Sequence, residues 1–158
     1  HISRVSKVKT LCEKMGLKFQ ILARKDLILE NSEVIILNSF GNILEYFKFA
    51  NSVFIGKSIV KKFENEGGQN PIEAAKLGCK VYHGPYVYNF KEVYEILKKL
   101  NISYEINSPD ELSTRVINDF NNTNDSKKLL TKEIDILGKE ILENNIKNIN
   151  KFLFNENY

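Results

Sequence analysis

The sequence predicts an α/β fold built on a doubly wound parallel sheet with helices on both faces. Continuous apolar runs at 33–38 and 52–56 lack polar alternation, which is typical of strands buried on both faces of a parallel sheet. Segments with apolar residues at helical spacing separate these runs. Strands that alternate with helices need crossover connections, which are right-handed in parallel sheets, and this favours the doubly wound arrangement.

The first sixty residues contain two predicted helices and three predicted strands. The first helix is indicated by apolar residues at helical spacing, namely Val5, Val8, Leu11, Cys12 and Met15. Gly16 is a typical residue to end it. Strands are expected at 18–22, 33–38 and 52–56. The apolar stripe of the second helix consists of Ile43, Leu44, Phe47 and Ala50.

The same alternation continues beyond the loop at 61–66. A helix is expected from Pro71 to Leu77, then a strand at 79–83, a helix at 90–100 and a strand at 102–106. A further helix begins at Ser108, because this residue type caps helices and Pro109 suits the first helical position.

The C-terminal tail differs in composition. Residues 126–154 are rich in Lys, Asn, Ile and Leu, and their apolar residues indicate one or two amphipathic helices, with a break near Gly138 or 144–145. We therefore predict one domain over 1–125 and a helical tail over 126–158 that packs on it. The alternative is a tail that reaches back to another domain.

Composition and charge exclude several classes of protein. The 158 residues carry a net charge of only +3, with both signs interspersed, which argues against a nucleic-acid-binding protein. The two histidines have no metal-ligand spacing. The two isolated cysteines favour a reducing compartment, with a single disulfide still open. No apolar run reaches the roughly 18 residues that span a membrane.

The segment Gly67–Glu73 is the main candidate for ligand binding. Its two glycines allow a tight turn and a close approach of the backbone to a ligand. Asn70 is suited to cap the following helix, and Glu73 stands where a capping-box carboxylate belongs. The first turn would offer free N–H groups to a phosphate, and Glu73 could instead accept hydrogen bonds from ribose hydroxyls. A well-capped helix without a ligand is the alternative.

Three residues near the predicted strand ends are weaker candidates. His83 ends a strand and is interpreted as structural, with ligand contact as the alternative. Lys57 and Ser58 follow a strand, at the edge of the sheet where ligands bind in open α/β folds.

Five segments form a recognisable pattern in order and spacing. They are Val53–Gly56, Gly67–Glu73, Leu77–Val81, Gly84-Pro85 and Asn89-Phe90. This pattern resembles the C-terminal domain of 3-deoxy-D-manno-octulosonic acid (Kdo) transferases. His1–Val5 resembles the end of that family's Pro-Arg-His-Pro-Glu-Arg segment. The segment 38–43 resembles its Asp-Thr-Met-Gly-Glu-Leu turn, and the similarity covers about residues 1 to 115.

The resemblance implies a Rossmann-like domain from a two-domain glycosyltransferase of the GT-B type. This half would bind CMP-Kdo, and an N-terminal domain outside the chain would bind a lipid A precursor and supply the acidic general base. The implied donor contacts are His1, Arg4, Phe40, Gly41, Asn42, Ile43, Gly67, Gly68, Gln69, Asn70 and Glu73. We expect no catalytic residue, metal or cofactor in this chain. The implied location is the cytoplasmic face of the bacterial inner membrane.

Two other functions stay open. A transferase or epimerase that uses a UDP-sugar also places a carboxylate at the start of its ligand-facing helix. A non-catalytic nucleotide-sugar-binding module is suggested by departures from the family pattern. Asn42 replaces a Glu, the loop at 61–66 is longer than usual, and Tyr86 stands where His is frequent.

Overall fold

The computed structural model describes residues 4–23, 27–39, 41, 43–122 and 126–153. The chain forms two compact units, His1–Ile43 and Leu44–Tyr158. Each strand pairing in the described ranges is parallel. Parallel sheets flanked by helices confirm the predicted α/β class. The division into a domain over 1–125 and a tail over 126–158 stays a prediction.

The first unit contains a helix and a two-stranded parallel sheet. Helix α1 spans Val5–Lys14, and strands β1 and β2 span Phe19–Leu22 and Val34–Leu37. Gly16 has a φ of +67°, a conformation that glycine adopts without steric cost at the end of a helix. Helix α1 packs against β2, and Leu22 is buried.

The second unit contains a three-stranded parallel sheet in the order β3-β4-β5. Its strands are β3 (Ser52–Phe54), β4 (Lys80–His83) and β5 (Ser103–Glu105). Its helices are α2, which begins at the boundary (Ile43–Phe47), α3 (Ile72–Lys76), α4 (Lys91–Lys99), α5 (Pro109–Asn121) and α6 (Ser126–Leu153). The observed strands fall inside the predicted ones and are shorter by one or two residues.

Helices α4 and α5 lie on opposite faces of this sheet. Alternate residues of a strand point to opposite faces. Tyr82 hydrogen-bonds Asp119 of α5, whereas the ring of His83 stacks against Tyr94 of α4 with centroids 4.3 Å apart. Ser103, which pairs with Val81, donates to the Tyr94 carbonyl from that second face. The predicted helices on both faces are therefore present.

Helix α6 is continuous through the residues where a break was expected. It runs from Ser126 to Leu153 and packs against α3. Ile134 joins the core cluster of this unit with Ala74 and Ala75, whose small side chains permit close packing. Every residue from Gly138 to Leu153 is exposed, so the second half of α6 is not buried by the rest of the unit.

Candidate functional site

The turn at Gly67 is held by a backbone approach that excludes any side chain. A Cβ atom at this position would lie 2.5 Å from the Tyr86 carbonyl oxygen and 2.7 Å from that of Lys57, and it would also collide with the Phe63 carbonyl. Because all three obstacles are backbone atoms, no side-chain rearrangement relieves them. Glycine is therefore required at position 67 for packing.

Residues that follow β4 hold this turn from one side. The Asn89 side chain donates to the Glu66 carbonyl at 3.1 Å, and the Tyr94 hydroxyl donates to the Gln69 carbonyl at 3.0 Å. Gly68 has a φ of +84°, which a residue with a side chain rarely adopts. The turn is thus fixed at several points. Sequence reasoning missed the roles of Asn89 and Tyr94, since nothing in the chain places them beside a turn some twenty residues earlier.

The fixed turn leaves polar groups available to a ligand. Within the described residues, the backbone N–H groups of Gln69 and Asn70 have no acceptor, and both residues are exposed. The Asn70 Oδ1 accepts from the Ile72 N–H at 2.9 Å, but the N-cap residue of α3 is Pro71 and not Asn70 as predicted. The predicted capping box is absent: with Pro71 as the N-cap, Glu73 is the second helical residue instead of the third, and its exposed side chain makes no hydrogen bond within the described ranges.

Ser58 is structural. Its side chain is fully buried, and its Oγ donates to the Ile55 carbonyl at 2.5 Å while it accepts from the Gly84 N–H at 2.9 Å. The first hydrogen bond stays within the loop that follows β3, and the second joins that loop to the one that follows β4. Because Ser58 is fully buried, its hydroxyl takes no part in ligand binding. Lys57, whose φ is +58°, is exposed beside it.

The upstream residues that the resemblance implies lie in the first unit. His1, Phe40 and Asn42 lie outside the described residues. Arg4 is exposed at the N-cap position of α1, Gly41 has a φ of +90°, and Ile43 is the first residue of α2. That these residues share one ligand with Gly67–Glu73 stays a prediction.

Comparison with known proteins finds curated relatives from several bacteria. No family model matches the chain. It is 28% identical over 130 residues to a 3-deoxy-D-manno-octulosonic acid transferase from Haemophilus influenzae, covering 82% of this chain and 30% of that protein. It is 27% identical over 150 residues to the transferase of the same name from Rickettsia prowazekii, covering 94% and 31%. The chain thus spans about a third of the length of these curated relatives.

A solved structure has the same fold. The C-terminal CMP-Kdo binding domain of WaaA from Acinetobacter baumannii superposes with a TM-score of 0.74. The match covers 85% of this chain and 69% of that chain at 17% identity, which establishes the Rossmann-like fold. The predicted resemblance is confirmed: in sequence the chain is a relative of Kdo transferases, and in fold it resembles their C-terminal domain.

Proposed function

We propose that this chain is the donor-binding half of a Kdo transferase, which transfers Kdo from CMP-Kdo to a lipid A precursor in lipopolysaccharide biosynthesis. Three facts support the proposal. The curated relatives are transferases of that name, the matching solved domain is described as CMP-Kdo binding, and the family's motifs occur here in order.

The observation that carries the proposal is the set of free polar groups on the turn. Among the residues that the structure describes, the N–H groups of Gln69 and Asn70 have no acceptor, and both residues are exposed. Backbone N–H groups in this position suit the phosphate of a nucleotide-sugar. The exposed Glu73 carboxylate, one turn further on, is an acceptor for ribose hydroxyls. Because Gly67 holds the turn in place before any ligand arrives, little conformational entropy is lost on binding.

Catalysis belongs to the full-length protein on this proposal. An acidic general base in the N-terminal domain would remove the proton from the acceptor hydroxyl as CMP departs. That domain, the acceptor site and the cytoplasmic face of the inner membrane as location all follow from the family resemblance. In the described residues, no helix is long and apolar enough to cross a membrane. The 158-residue chain alone should bind the donor without transferring Kdo.

The test is a calorimetric titration of the purified chain with CMP, UMP and CMP-Kdo. We expect CMP and CMP-Kdo to bind more tightly than UMP. Glu73→Ala should weaken CMP binding about tenfold, the value of a lost hydrogen bond to a charged group. The matched control is Glu92→Ala, because Glu92 is also an exposed glutamate in the first turn of a helix.

One result would overturn the proposal, and two others would change its assignment of residues. A preference for UMP would favour an enzyme that uses UDP-sugars. Unchanged CMP affinity in Glu73→Ala, or an equal loss in both variants, would remove Glu73 from the site.

A further inference from the structure

A cavity of about 360 Å³ lies on the face of the second sheet that packs against α4. It is lined by His83 at the end of β4, by Tyr94 of α4 and by Glu105 at the end of β5. None of its lining residues belongs to the Gly67–Glu73 turn. Its volume is within the range of small-molecule sites in proteins.

His83 presents an unused hydrogen-bond acceptor to this cavity. The side chain is 5% exposed, and its Nδ1 lies 2.7 Å from the Gly84 carbonyl oxygen. A carbonyl only accepts, so Nδ1 carries the proton and the neutral ring leaves Nε2 as an acceptor. Within the described residues, Nε2 has no hydrogen-bond partner. In the same residues, every side-chain nitrogen that is fully buried has one, so Nε2 is not fully buried. Nε2 therefore reaches accessible space, which for this buried ring is the cavity that it lines.

Charged groups of both signs surround this acceptor. Three carboxylates line the cavity, from Glu64, Glu95 and Glu105, together with the two ammonium groups of Lys91 and Lys98. In the described ranges, none of these five side chains forms an ion pair. Five charged side chains that line a cavity and form no ion pairs with one another offer both hydrogen-bond donors and acceptors to a ligand.

The remaining lining is apolar or aromatic. Pro85, Val87, Tyr88 and Tyr94 give the cavity a surface on which C–H groups can pack. A hydroxyl-rich ring combines C–H faces with hydroxyls that donate to carboxylates and to Nε2 and accept from ammonium groups. An excess of one carboxylate over the ammonium groups disfavours an anionic ligand.

We propose that this cavity binds a neutral, polyhydroxylated ligand the size of a monosaccharide, with a ligand hydroxyl that donates to Nε2 of His83. The inference goes beyond the proposed donor site, and it does not depend on it. The two sites share Tyr94, which lines the cavity and whose hydroxyl donates to the Gln69 carbonyl.

The test uses the imidazole nitrogens of the full chain. Only two histidines are present, so long-range ¹H–¹⁵N spectra of histidine-labelled protein resolve His83 from His1. The probes are D-glucose, D-mannose, D-galactose and N-acetyl-D-glucosamine, with D-glucuronate as the anionic counterpart of the first. We expect a saturable shift of Nε2 with at least one neutral sugar, and several-fold weaker binding of glucuronate than of glucose.

Two variants and a control locate the binding. His83→Phe keeps an aromatic ring beside Tyr94 but removes the acceptor, and Glu95→Gln changes an exposed lining carboxylate with little risk to folding. Calorimetry should show about tenfold weaker sugar binding in each. Glu92→Gln, on the same helix but outside the cavity lining, should bind as the unmodified chain does.

The proposal is overturned if no neutral sugar of the panel shifts Nε2, or if glucuronate binds more tightly than glucose. Sugar binding that is equal in Glu95→Gln and Glu92→Gln would also overturn it. CMP binding, followed at the Gln69 and Asn70 amide resonances, reports the proposed donor site separately.

Discussion

The two faces of the second sheet differ in whether their buried polar groups have all their hydrogen-bond partners within the protein. On the face toward α5, Asp119 is 7% exposed, its Oδ1 lies 2.5 Å from Lys80 Nζ and its Oδ2 accepts from the Tyr82 hydroxyl at 2.8 Å. On the face toward α4, His83 is equally buried but keeps one ring nitrogen without a protein partner in the described residues.

This difference indicates that the face toward α5 contributes to stability and the face toward α4 to ligand binding. A buried carboxylate with two partners stabilises the fold only while the set is complete, because loss of one partner leaves the others desolvated and unpaired. A buried ring nitrogen that faces a cavity keeps contact with water and costs the fold little. We expect substitutions on the α5 face to change the free energy of unfolding, and substitutions on the α4 face to change mainly titration and ligand binding.

The largest expected effect is that of Asp119→Ala. It removes both hydrogen bonds and leaves the Lys80 ammonium, which is 31% exposed, without its counter-ion. We expect a loss of about 3 kcal/mol in the free energy of unfolding by urea titration. Glu45→Ala, which breaks an exposed pair with Lys48, is the control and should cost under about 1 kcal/mol. Similar losses in the two variants would contradict the comparison.

Tyr82→Phe should have the next largest effect. The Tyr82 hydroxyl is buried, and burial and the hydrogen bond to Asp119 both raise its pKa. Its removal should cost about 1.5 kcal/mol, since one Asp119 oxygen loses a donor. Tyr104→Phe is the matched control, because the neighbouring Tyr104 hydroxyl is exposed and donates to the Asn101 carbonyl. Equal destabilisation of the two variants would count against a special role for the Asp119 network.

A smaller effect is expected in the pH dependence of stability. Burial is the largest effect on the pKa of His83 and lowers it from the usual 6.5. The Gly84 carbonyl and the charge of Glu105 raise this pKa by less, and the charge of Lys98 lowers it further. The unfolded state therefore takes up the proton first, so the contribution of His83 to stability is complete above about pH 6.5 and is lost as the pH falls below it. Urea titrations from about pH 7.5 to about pH 5 should show a smaller loss for His83→Phe than for the unmodified chain. A larger loss in the variant would reverse the assigned sign.

The smallest effects are shifts of the His83 titration itself. Glu105 raises the pKa of His83 and Lys98 lowers it. Glu105→Gln should therefore lower this pKa, and Lys98→Met should raise it. An NMR titration of the His83 ring measures both. Shifts in the same direction would show that these two charges do not face the ring as the structure places them.

Much of the fold could be predicted from local patterns. The continuous apolar runs at 33–38 and 52–56 place β2 and β3, and Ser108 with Pro109 marks the start of α5, where Ser108 Oγ accepts from the Glu111 N–H. A hydrogen bond from Asn70 to the start of α3 was also predictable, because it spans only two residues. Such features depend on a few neighbouring residues, which one sequence contains in full.

The rest depends on residues that are distant along the chain. Asp119 reaches Lys80 and Tyr82 across more than thirty-five residues, and Tyr94 reaches Gln69 across twenty-five. The orientation of His83 toward a cavity needs both the strand register and the position of α4. The expected capping box at Glu73 is absent for another reason: α3 begins one residue later than predicted, which moves Glu73 from the third helical position to the second.

The close backbone contacts around Gly67 and Gly84 determine which neighbouring residues of this chain can be substituted. A Cβ atom at Gly84 would lie 2.5 Å from the Ile59 Cα, as intolerable as one at Gly67. The segment Glu64–Glu66 directly precedes Gly67 and is exposed throughout. A library that varies these three residues and keeps both glycines and Ser58 would change the exposed surface of the turn without disturbing its buried contacts. Most variants in such a library should therefore fold.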